Sequence, residues 1–358
     1  MYKDVTLMHS KALLDKSANT IDATIGVLLD DNKNLVYSRV FDKALNQVSK
    51  KVYNYAPVDG GNAFKSAIAE YFKVPSDYSI LATPGATGAL TVLLQHKKST
   101  SNALVIPELS WVNYLKMAEL NDYDIYFYDN FTMEFDLEIF NKYENVVVVI
   151  NTPASNPIGT TYTKEELDVF TSKINEYENA TCIFDLAYYS FDSNQEFIFE
   201  YGEKFPCYFA VTFSKTLGVY GFRLGALISS QKELLAPIAR GTWSSISNLA
   251  IEAFVNCCDS REQMDIEVEQ NKLLLQERTS YFISLLDEYK IPYYSFQNGF
   301  FVTLKFANPN PVVEFLMQDH IYTINCNHGV RVAVCSLNKK ELLKIANKVK
   351  EFIQITCI

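Results

Sequence analysis

At 358 residues the chain is long enough for two domains, and its 48% hydrophobic content, with 24 Phe and 23 Tyr, can form a large core. The formal net charge of −10 argues against nucleic acid as the main partner. It does not restrict small-molecule substrates, because a few residues set the local field of a site.

Cysteines and histidines show no metal-binding pattern. The seven cysteines lack CxxC spacing, and the four histidines form no pair at helical spacing. An odd number of scattered cysteines (182, 207, 257, 258, 326, 335 and 357) is typical of reduced thiols. No apolar run approaches the roughly 18 residues of a membrane span, and the N-terminal segment is too charged for a secretory signal. We therefore expect a cytoplasmic protein without a metal or a membrane partner.

Short apolar runs alternate with helical patterns through most of the chain. The runs predict strands at Ser79–Ala82, Ala103–Ile106, Ile125–Tyr128, Asn145–Ile150, Thr181–Phe184, Tyr208–Val211 and Gly225–Ser229. Between them, Phe64–Phe72 is amphipathic, and Thr163 with Glu166 forms a capping box that begins a helix. Strands that alternate with helices indicate an α/β fold with a mostly parallel sheet.

The C-terminal part of the chain has a different pattern. Arg261–Tyr289 predicts a long helix that leads out of the large domain. Pro292–Phe306 predicts two short strands, Gly329–Ser336 a strand that carries Arg331, and Lys339–Ile353 a closing amphipathic helix. We expect a large domain at residues 42–265 and a smaller α+β domain formed by residues 1–41 and 266–358.

Polar residues follow the predicted strands where each one ends. Gly85, Asn156, Asp185 and Lys215 stand in four such segments. Ligands of parallel sheets bind outside the carboxyl ends of the strands, so we expect the four segments to share one site. Gly85 begins a turn into a helix, which is typical of an anion site, but the segment is not GxGxxG, which counts against an NAD enzyme.

The segment around Lys215 indicates the chemistry. A sheltered lysine loses proton affinity and can form a Schiff base. Arg223 follows eight residues later and suits a phosphate, and Thr212 can add a hydroxyl. An aldehyde and a phosphate on one molecule point to pyridoxal 5′-phosphate (PLP).

Several motifs of the chain resemble one family. T-x-x-K-x7-R around Lys215, SNPIG around Asn156, D-x-A-Y from Asp185 to Tyr188 and Tyr55-Ala-Pro are similar to segments of the fold type I PLP enzymes. The order of the motifs most resembles the class I/II, aspartate-aminotransferase-like branch. This resemblance implies a large domain with a seven-stranded, mostly parallel sheet flanked by helices, and a smaller α+β domain.

The resemblance also implies roles for single residues. Lys215 would hold PLP as a Schiff base, Asp185 would pair with the ring nitrogen, and Tyr188 would bind the phenolic oxygen with Asn156. Trp111 would stack on the ring. The phosphate would be held by Gly85, Ala86, Thr87, Thr212, Arg223 and Tyr55 of the partner subunit in a homodimer.

Three further residues are expected to contact the substrate together with Asn156. In the family, the residue that matches Arg331 binds the α-carboxylate bidentately. Gly26 matches a glycine in a loop that lies against the substrate. Arg240 resembles an arginine that reaches across the dimer to a distal carboxylate, although the WSSIS segment after it lacks the family's Asn-Pro.

The resemblance therefore implies an aminotransferase that moves an amino group between an L-amino acid and a 2-oxo acid in a ping-pong reaction. The donor stays open, since Arg240 favours aspartate or glutamate and the many aromatic residues suit an aromatic pocket. A β-lyase or decarboxylase would share the cofactor residues. A catalytically silent PLP-binding module and an α/β protein without PLP are further alternatives.

Overall fold

The computed structural model describes residues 5–192, 195–232 and 235–356, so Cys357 lies outside the described residues. Within these ranges the chain has no helix that is both long and apolar enough to cross a membrane.

Strands and helices alternate along the described chain. The strands are β1 (Ile21–Asp22), β2 (Ser79–Pro84), β3 (Asn102–Pro107), β4 (Asp124–Tyr128), β5 (Asn145–Asn151), β6 (Ala180–Asp185), β7 (Cys207–Thr212), β8 (Leu224–Ser229), β9 (Val302–Lys305), β10 (Ile321–Tyr322), β11 (Ile324–Asn325) and β12 (Gly329–Val332). The helices are α1 (Val5–Leu14), α2 (Arg39–Leu45), α3 (Gly61–Phe72), α4 (Gly85–Lys97), α5 (Asn113–Asn121), α6 (Ile139–Lys142), α7 (Lys164–Ile174), α8 (Tyr201–Lys204), α9 (Ala236–Thr242), α10 (Asn248–Cys258), α11 (Arg261–Glu288), α12 (Asn310–Gln318) and α13 (Lys339–Thr356).

A seven-stranded sheet in the order β2-β8-β7-β6-β5-β3-β4 forms the centre of the fold. Strands β4, β3, β5, β6 and β7 pair in parallel, whereas β8 is antiparallel to both β7 and β2. Strand β2 therefore runs in the same direction as β7. The carboxyl ends of β2, β5, β6 and β7 all meet at one edge, and the prediction of a mostly parallel α/β sheet is confirmed.

Both faces of this sheet are buried, as β5 illustrates. Val146, Val148 and Ile150 pack into one hydrophobic cluster, while Val147 and Val149 pack into another on the opposite face. Side chains of a strand alternate between faces, so an uninterrupted apolar run is what a doubly covered strand requires. The predicted capping box of α7 is also present, with Thr163 and Glu166 bonded reciprocally.

The two ends of the chain form a separate hydrophobic cluster. Strand β1 pairs in parallel with β10, and β11, β12 and β9 form an antiparallel sheet. Met8 and Ala12 of α1 pack into the same cluster as residues of α11, α12 and α13. The N-terminal residues are thereby joined to the C-terminal part of the chain.

Several elements and boundaries predicted for the C-terminal part were wrong in detail. Pro292–Phe306 contains one strand, β9, and Tyr293 forms only a single bridge to Leu304. The strand predicted for Gly329–Ser336 ends at Val332, because the Ala333 amide donates to the Ala23 carbonyl at 3.0 Å. Val334–Ser336 then forms one 3-10 turn. The α11 helix ends one residue before the predicted end, at Glu288.

Candidate active site

A cavity of about 300 Å³ lies at the carboxyl edge of the central sheet. The predicted site residues that line it are Gly26, Ala86, Thr87, Trp111, Asn156, Asp185, Tyr188, Thr212, Lys215, Arg223 and Arg331. They come from the sheet edge and from both ends of the chain. The segments that the sequence analysis expected to share one site are therefore brought together.

Gly85 stands directly behind the wall of the cavity, at the start of α4. Its φ of +73° lies in the left-handed region, which favours glycine. A Cβ there would lie 2.8 Å from Nη2 of Arg223 and 3.4 Å from Oγ1 of Thr212. The glycine thus leaves room for these groups beside the first turn of α4, whose free amides attract anions.

Arg223 and Thr212 form a polar cradle with Ser214. Nη1 of Arg223 donates to the Ser214 hydroxyl at 3.1 Å, and Nη2 donates to the Pro84 carbonyl at 3.3 Å. The Thr212 hydroxyl lies 3.1 Å from Oγ of Ser214. A guanidinium and two hydroxyls at a helix N-terminus are suited to a phosphate group.

Lys215 lines the cavity, and its amine donates a hydrogen bond to the Gly26 carbonyl. Its Nζ is also 4.8 Å from the ring centroid of Tyr220 and 5.5 Å from that of Phe300. Burial lowers the pKa of Lys215 to about 8; the nearby Cys335 thiol opposes this, and Arg331 and Arg223 lower the pKa further. A substantial fraction of the amine is therefore neutral and nucleophilic near physiological pH.

Asp185 ends β6 as a buried carboxylate. It accepts hydrogen bonds from the Tyr114 hydroxyl at 2.5 Å and from the Ala187 amide at 3.1 Å. Burial raises the pKa of Asp185 to about 6, and the Tyr114 and Ala187 hydrogen bonds oppose that rise. The group is mostly ionised at neutral pH and can pair with a cation in the cavity.

Arg331 enters the cavity from β12 and is buried. It donates to the Asn156 side-chain oxygen at 3.0 Å through Nη1 and to the Thr24 carbonyl through Nη2. Its guanidinium carbon lies 4.2 Å from the ring centroid of Phe301. Its Nε has no hydrogen-bond partner among the described residues. A buried cation with an unused donor is suited to an anionic ligand.

Tyr55 and Arg240 do not line the cavity of their own chain. Tyr55 is 93% exposed, and Arg240 is exposed on α9. Both roles were expected across a dimer, so their positions on the surface of one chain leave those predictions untested.

The model of the aminotransferase class I and II family matches residues 18–349. The chain belongs to the class I and II aminotransferases. The resemblance inferred from the sequence is thus confirmed.

Relatives of this aminotransferase differ in their named substrates. A histidinol-phosphate aminotransferase of Macrococcus caseolyticus is 22% identical and covers 82% of each chain. An aspartate aminotransferase of Bacillus sp. is 27% identical over 63% of this chain and 62% of its own. The crystal structure of an aminotransferase from Anaerococcus prevotii has a TM-score of 0.86 at 24% identity, and covers 97% of this chain and 95% of its own.

Several residues of the aminotransferase site were not predicted. Tyr114 stands three residues after Trp111, and their rings meet edge to face with centroids 5.5 Å apart. Trp111 precedes α5 and Tyr114 lies in its first turn, so helical periodicity does not pair the two residues in the sequence. Tyr220, Phe301 and Thr6 also line the cavity. No local pattern marks Thr6, because it reaches the site only through the packing of the chain ends.

Proposed function

We propose that Lys215 is the residue through which this aminotransferase binds PLP and transfers amino groups. The observation that carries the proposal is that Lys215, Asp185, Arg223 and Arg331 line one cavity at the sheet edge. When bound, PLP supplies an aldehyde for the amine and an electron sink for the bond-breaking step. The family's reaction transfers an amino group from an L-amino acid to a 2-oxo acid.

The residues present fit this cofactor. Thr212, Arg223 and the amides of Ala86 and Thr87 would hold its phosphate in the space that Gly85 leaves open. Asp185 would hold a proton on the ring nitrogen, since its carboxylate is buried and oriented by Tyr114 and Ala187. Asn156 and Tyr188 would contact the phenolic oxygen, and Trp111 would cover the ring face.

Lys215 would also move the proton of the reaction. Its neutral amine would accept the proton from the substrate Cα and return it to the cofactor's C4′ carbon. A pKa of about 8 suits a group that must accept and then release a proton near neutral pH. The Gly26 carbonyl would orient the amine, because it accepts a hydrogen bond from Nζ.

Arg331 would bind the substrate's α-carboxylate. The Asn156 side chain and the Thr24 carbonyl set the position of Arg331. Asn156 would therefore be a neighbour of both the substrate carboxylate and the cofactor. This arrangement would bring Cα near the Lys215 amine and hold the reacting atoms in place. Gly26 would leave space beside the substrate, since it has no side chain. A Cβ at this position would approach the ring of Phe301, which also lines the cavity, to 2.6 Å.

We extend the proposal to a homodimer in the cytoplasm. The exposed Tyr55 and Arg240 are available to reach the cavity of a partner subunit, for its phosphate and for a distal carboxylate respectively. The described cysteines are all free thiols, which suits a reducing compartment. We also retain the division into residues 42–265 and residues 1–41 with 266–358, supported by the separate hydrophobic cluster of the chain ends.

The test is a half-reaction. PLP-loaded protein is mixed with single amino acids and no oxo acid, and both the cofactor spectrum and the products are measured. We expect one spectral conversion and one equivalent of 2-oxo acid per protomer. An unchanged spectrum with pyruvate or an amine accumulating over many turnovers would instead identify a β-lyase or a decarboxylase. No response to any amino acid would identify a silent binding module.

A further inference from the structure

Arg278 of the long helix α11 is a buried cation that does not line the cavity. Its side chain is 2% exposed, and arginines are almost never so buried unless they are paired. Its charged partner, Asp31, is itself 72% exposed, and Nε of Arg278 has no hydrogen-bond partner among the described residues. Packing alone does not require such a residue, because an apolar side chain could fill the position without the cost of burying a charge.

The guanidinium of Arg278 joins segments from both ends of the chain. Nη1 donates to the Leu29 carbonyl at 2.7 Å and to the Cys335 carbonyl at 2.9 Å. Nη2 donates to the Asp31 carboxylate at 2.9 Å. The Cys335 carbonyl also accepts a hydrogen bond from the Leu29 amide at 3.1 Å. Because the donors of a guanidinium form a rigid planar fork, Arg278 holds the two segments in one arrangement.

Residues 25–31, which we call the Gly26 loop, are tied to Cys335 at a second point. The Cys335 thiol donates to the Ile25 carbonyl at 3.8 Å. Leu28 and Cys335 are also buried in one apolar cluster with Leu275, which stands three residues before Arg278 on the same side of α11. The Gly26 loop is therefore fixed between α11 and the segment after β12 by hydrogen bonds and by apolar packing.

The Gly26 loop contacts Lys215 and its neighbour Tyr220. The Gly26 carbonyl accepts a hydrogen bond from Nζ of Lys215, and the Leu28 amide donates to the Tyr220 hydroxyl at 2.9 Å. The ring centroid of Tyr220 lies 4.8 Å from the same Nζ. A shift of the loop would therefore move two groups that surround the amine.

We propose that Arg278 is a positioning residue for the reaction. By holding the Gly26 loop, it keeps the Gly26 carbonyl and the Tyr220 ring where they orient the Lys215 amine. The inference rests on the proposed function, in which Lys215 moves the proton. Proton transfer requires well-placed reacting atoms, and a misplacement of about 1 Å can slow a reaction by about 100-fold.

Amide hydrogen exchange tests the hold on the Gly26 loop without reference to activity. It is measured by mass spectrometry on the whole chain, both without and with PLP. In Arg278→Lys, the peptide that contains Leu28 and Leu29 should exchange roughly tenfold faster than in the wild type, because an ammonium cannot replace the fork that bonds both carbonyls. Unchanged exchange of this peptide would overturn the inference.

Arg261→Lys is the matched control, since it makes the same substitution on the same helix. Arg261 also bonds a main-chain carbonyl, that of Tyr71 at 3.0 Å, and a carboxylate, that of Asp265 at 2.8 Å. It does not line the cavity. The control should leave the exchange of the Gly26 loop unchanged. Equal acceleration in both variants would show a general loosening of α11 and would overturn the inference.

The half-reaction tests whether the hold on the loop affects the chemistry. Per PLP bound, the maximal rate with a single amino donor should fall by about 10- to 100-fold in Arg278→Lys. The donor concentration at half-maximal rate should change less, because Arg331 remains to bind the α-carboxylate. Arg278→Met, which removes all donors, should lose at least as much rate, whereas Arg261→Lys should react like the wild type. A wild-type rate in both Arg278 variants would overturn the inference.

A free amine separates an effect on Lys215 from an effect on the fold. In Lys215→Ala, methylamine in solution can accept the proton in place of the missing side chain. Adding Arg278→Lys should leave this amine-dependent rate nearly unchanged, because the Gly26 loop no longer has a lysine to orient. Equal slowing in the presence and absence of Lys215 would assign Arg278 a structural role and overturn the inference. A wild type that reacts with no donor would instead remove the proposed function, while the exchange result would still decide whether Arg278 holds the loop.

Discussion

The two halves of the cavity are held in place differently. Asp185, Thr212, Lys215 and Arg223 form the sheet-edge half, where each residue stands at or within three residues of a strand end. Asp185 itself is paired in register between Asn151 and Ala210. Backbone pairing of a buried sheet therefore fixes where these side chains start.

Thr6, Gly26 and Arg331 form the terminal half. Arg331 is oriented by the Asn156 side chain and a loop carbonyl, and Thr6 is positioned by the packing of α1. Such contacts depend on segments from opposite ends of the chain. Under the proposed function, the sheet-edge half would carry the reaction chemistry and the terminal half would recognise the substrate.

The largest expected effect is in the sheet-edge half. Lys215→Ala removes the amine that would bind the cofactor and move the proton, so the half-reaction should slow by about 10⁴-fold. Stopped-flow absorbance with a single donor measures this rate. Lys173→Ala, which changes an exposed lysine on α7, should react like the wild type. A Lys215→Ala rate within tenfold of the wild type would assign the proton transfer to another group.

Asp185→Asn should lower kcat/KM by about 10²- to 10³-fold, because it removes the charge that would hold the ring-nitrogen proton. Steady-state kinetics measures this loss. An unchanged kcat/KM would remove Asp185 from the reaction.

The same substitution should stabilise the cofactor-free protein at pH 8. Burial raises the pKa of Asp185 to about 6 from 3.8, so its ionisation costs stability as pH rises through this interval. The full cost is about 3 kcal/mol. Denaturant unfolding should therefore show a gain for Asp185→Asn of up to that size at pH 8 and little gain near pH 4. A gain in stability that is independent of pH would show that the ionisation of Asp185 is not its cause.

In the terminal half, Arg331→Lys should raise KM for the amino donor by roughly 10- to 100-fold, with a smaller change in kcat. An ammonium keeps the charge but lacks the planar fork for a carboxylate. Arg39→Lys, at an exposed arginine outside the cavity, is the control. A loss confined to kcat would place Arg331 in the chemical step and would weaken the contrast between the halves.

The smallest effect concerns Tyr114. Tyr114→Phe removes a hydrogen bond that opposes the rise in the pKa of Asp185, so that pKa should increase further. In denaturant unfolding of the cofactor-free protein, the pH profile of stability should therefore continue to fall up to a higher pH. Tyr123→Phe removes another buried hydroxyl, bonded to the Leu94 carbonyl at 2.8 Å, and should lower stability without moving the profile.

The sheet-edge half could be predicted almost residue by residue. Asn156, Asp185 and Lys215 follow apolar runs that indicate buried strands, and parallel strands bring their carboxyl ends together. Tyr114 was missed because its hydroxyl meets Asp185 across 71 residues of sequence.

The terminal half was less accessible to sequence reasoning. Arg331 stood out as a charge in an apolar strand, but the end of that strand at Val332 depends on pairing with the N-terminal segment. Thr6 reaches the cavity through the same association of chain ends. Such long-range packing leaves no trace in local periodicity.

The central claim is that Lys215 binds the cofactor in this cavity. Borohydride reduction of the PLP-loaded protein, followed by peptide mass spectrometry, tests it directly. The account predicts the reduced phosphopyridoxyl group on Lys215, and no such label at an active-site peptide in Lys215→Ala. Labelling of another lysine in the wild type, with Lys215 unmodified, would contradict the account.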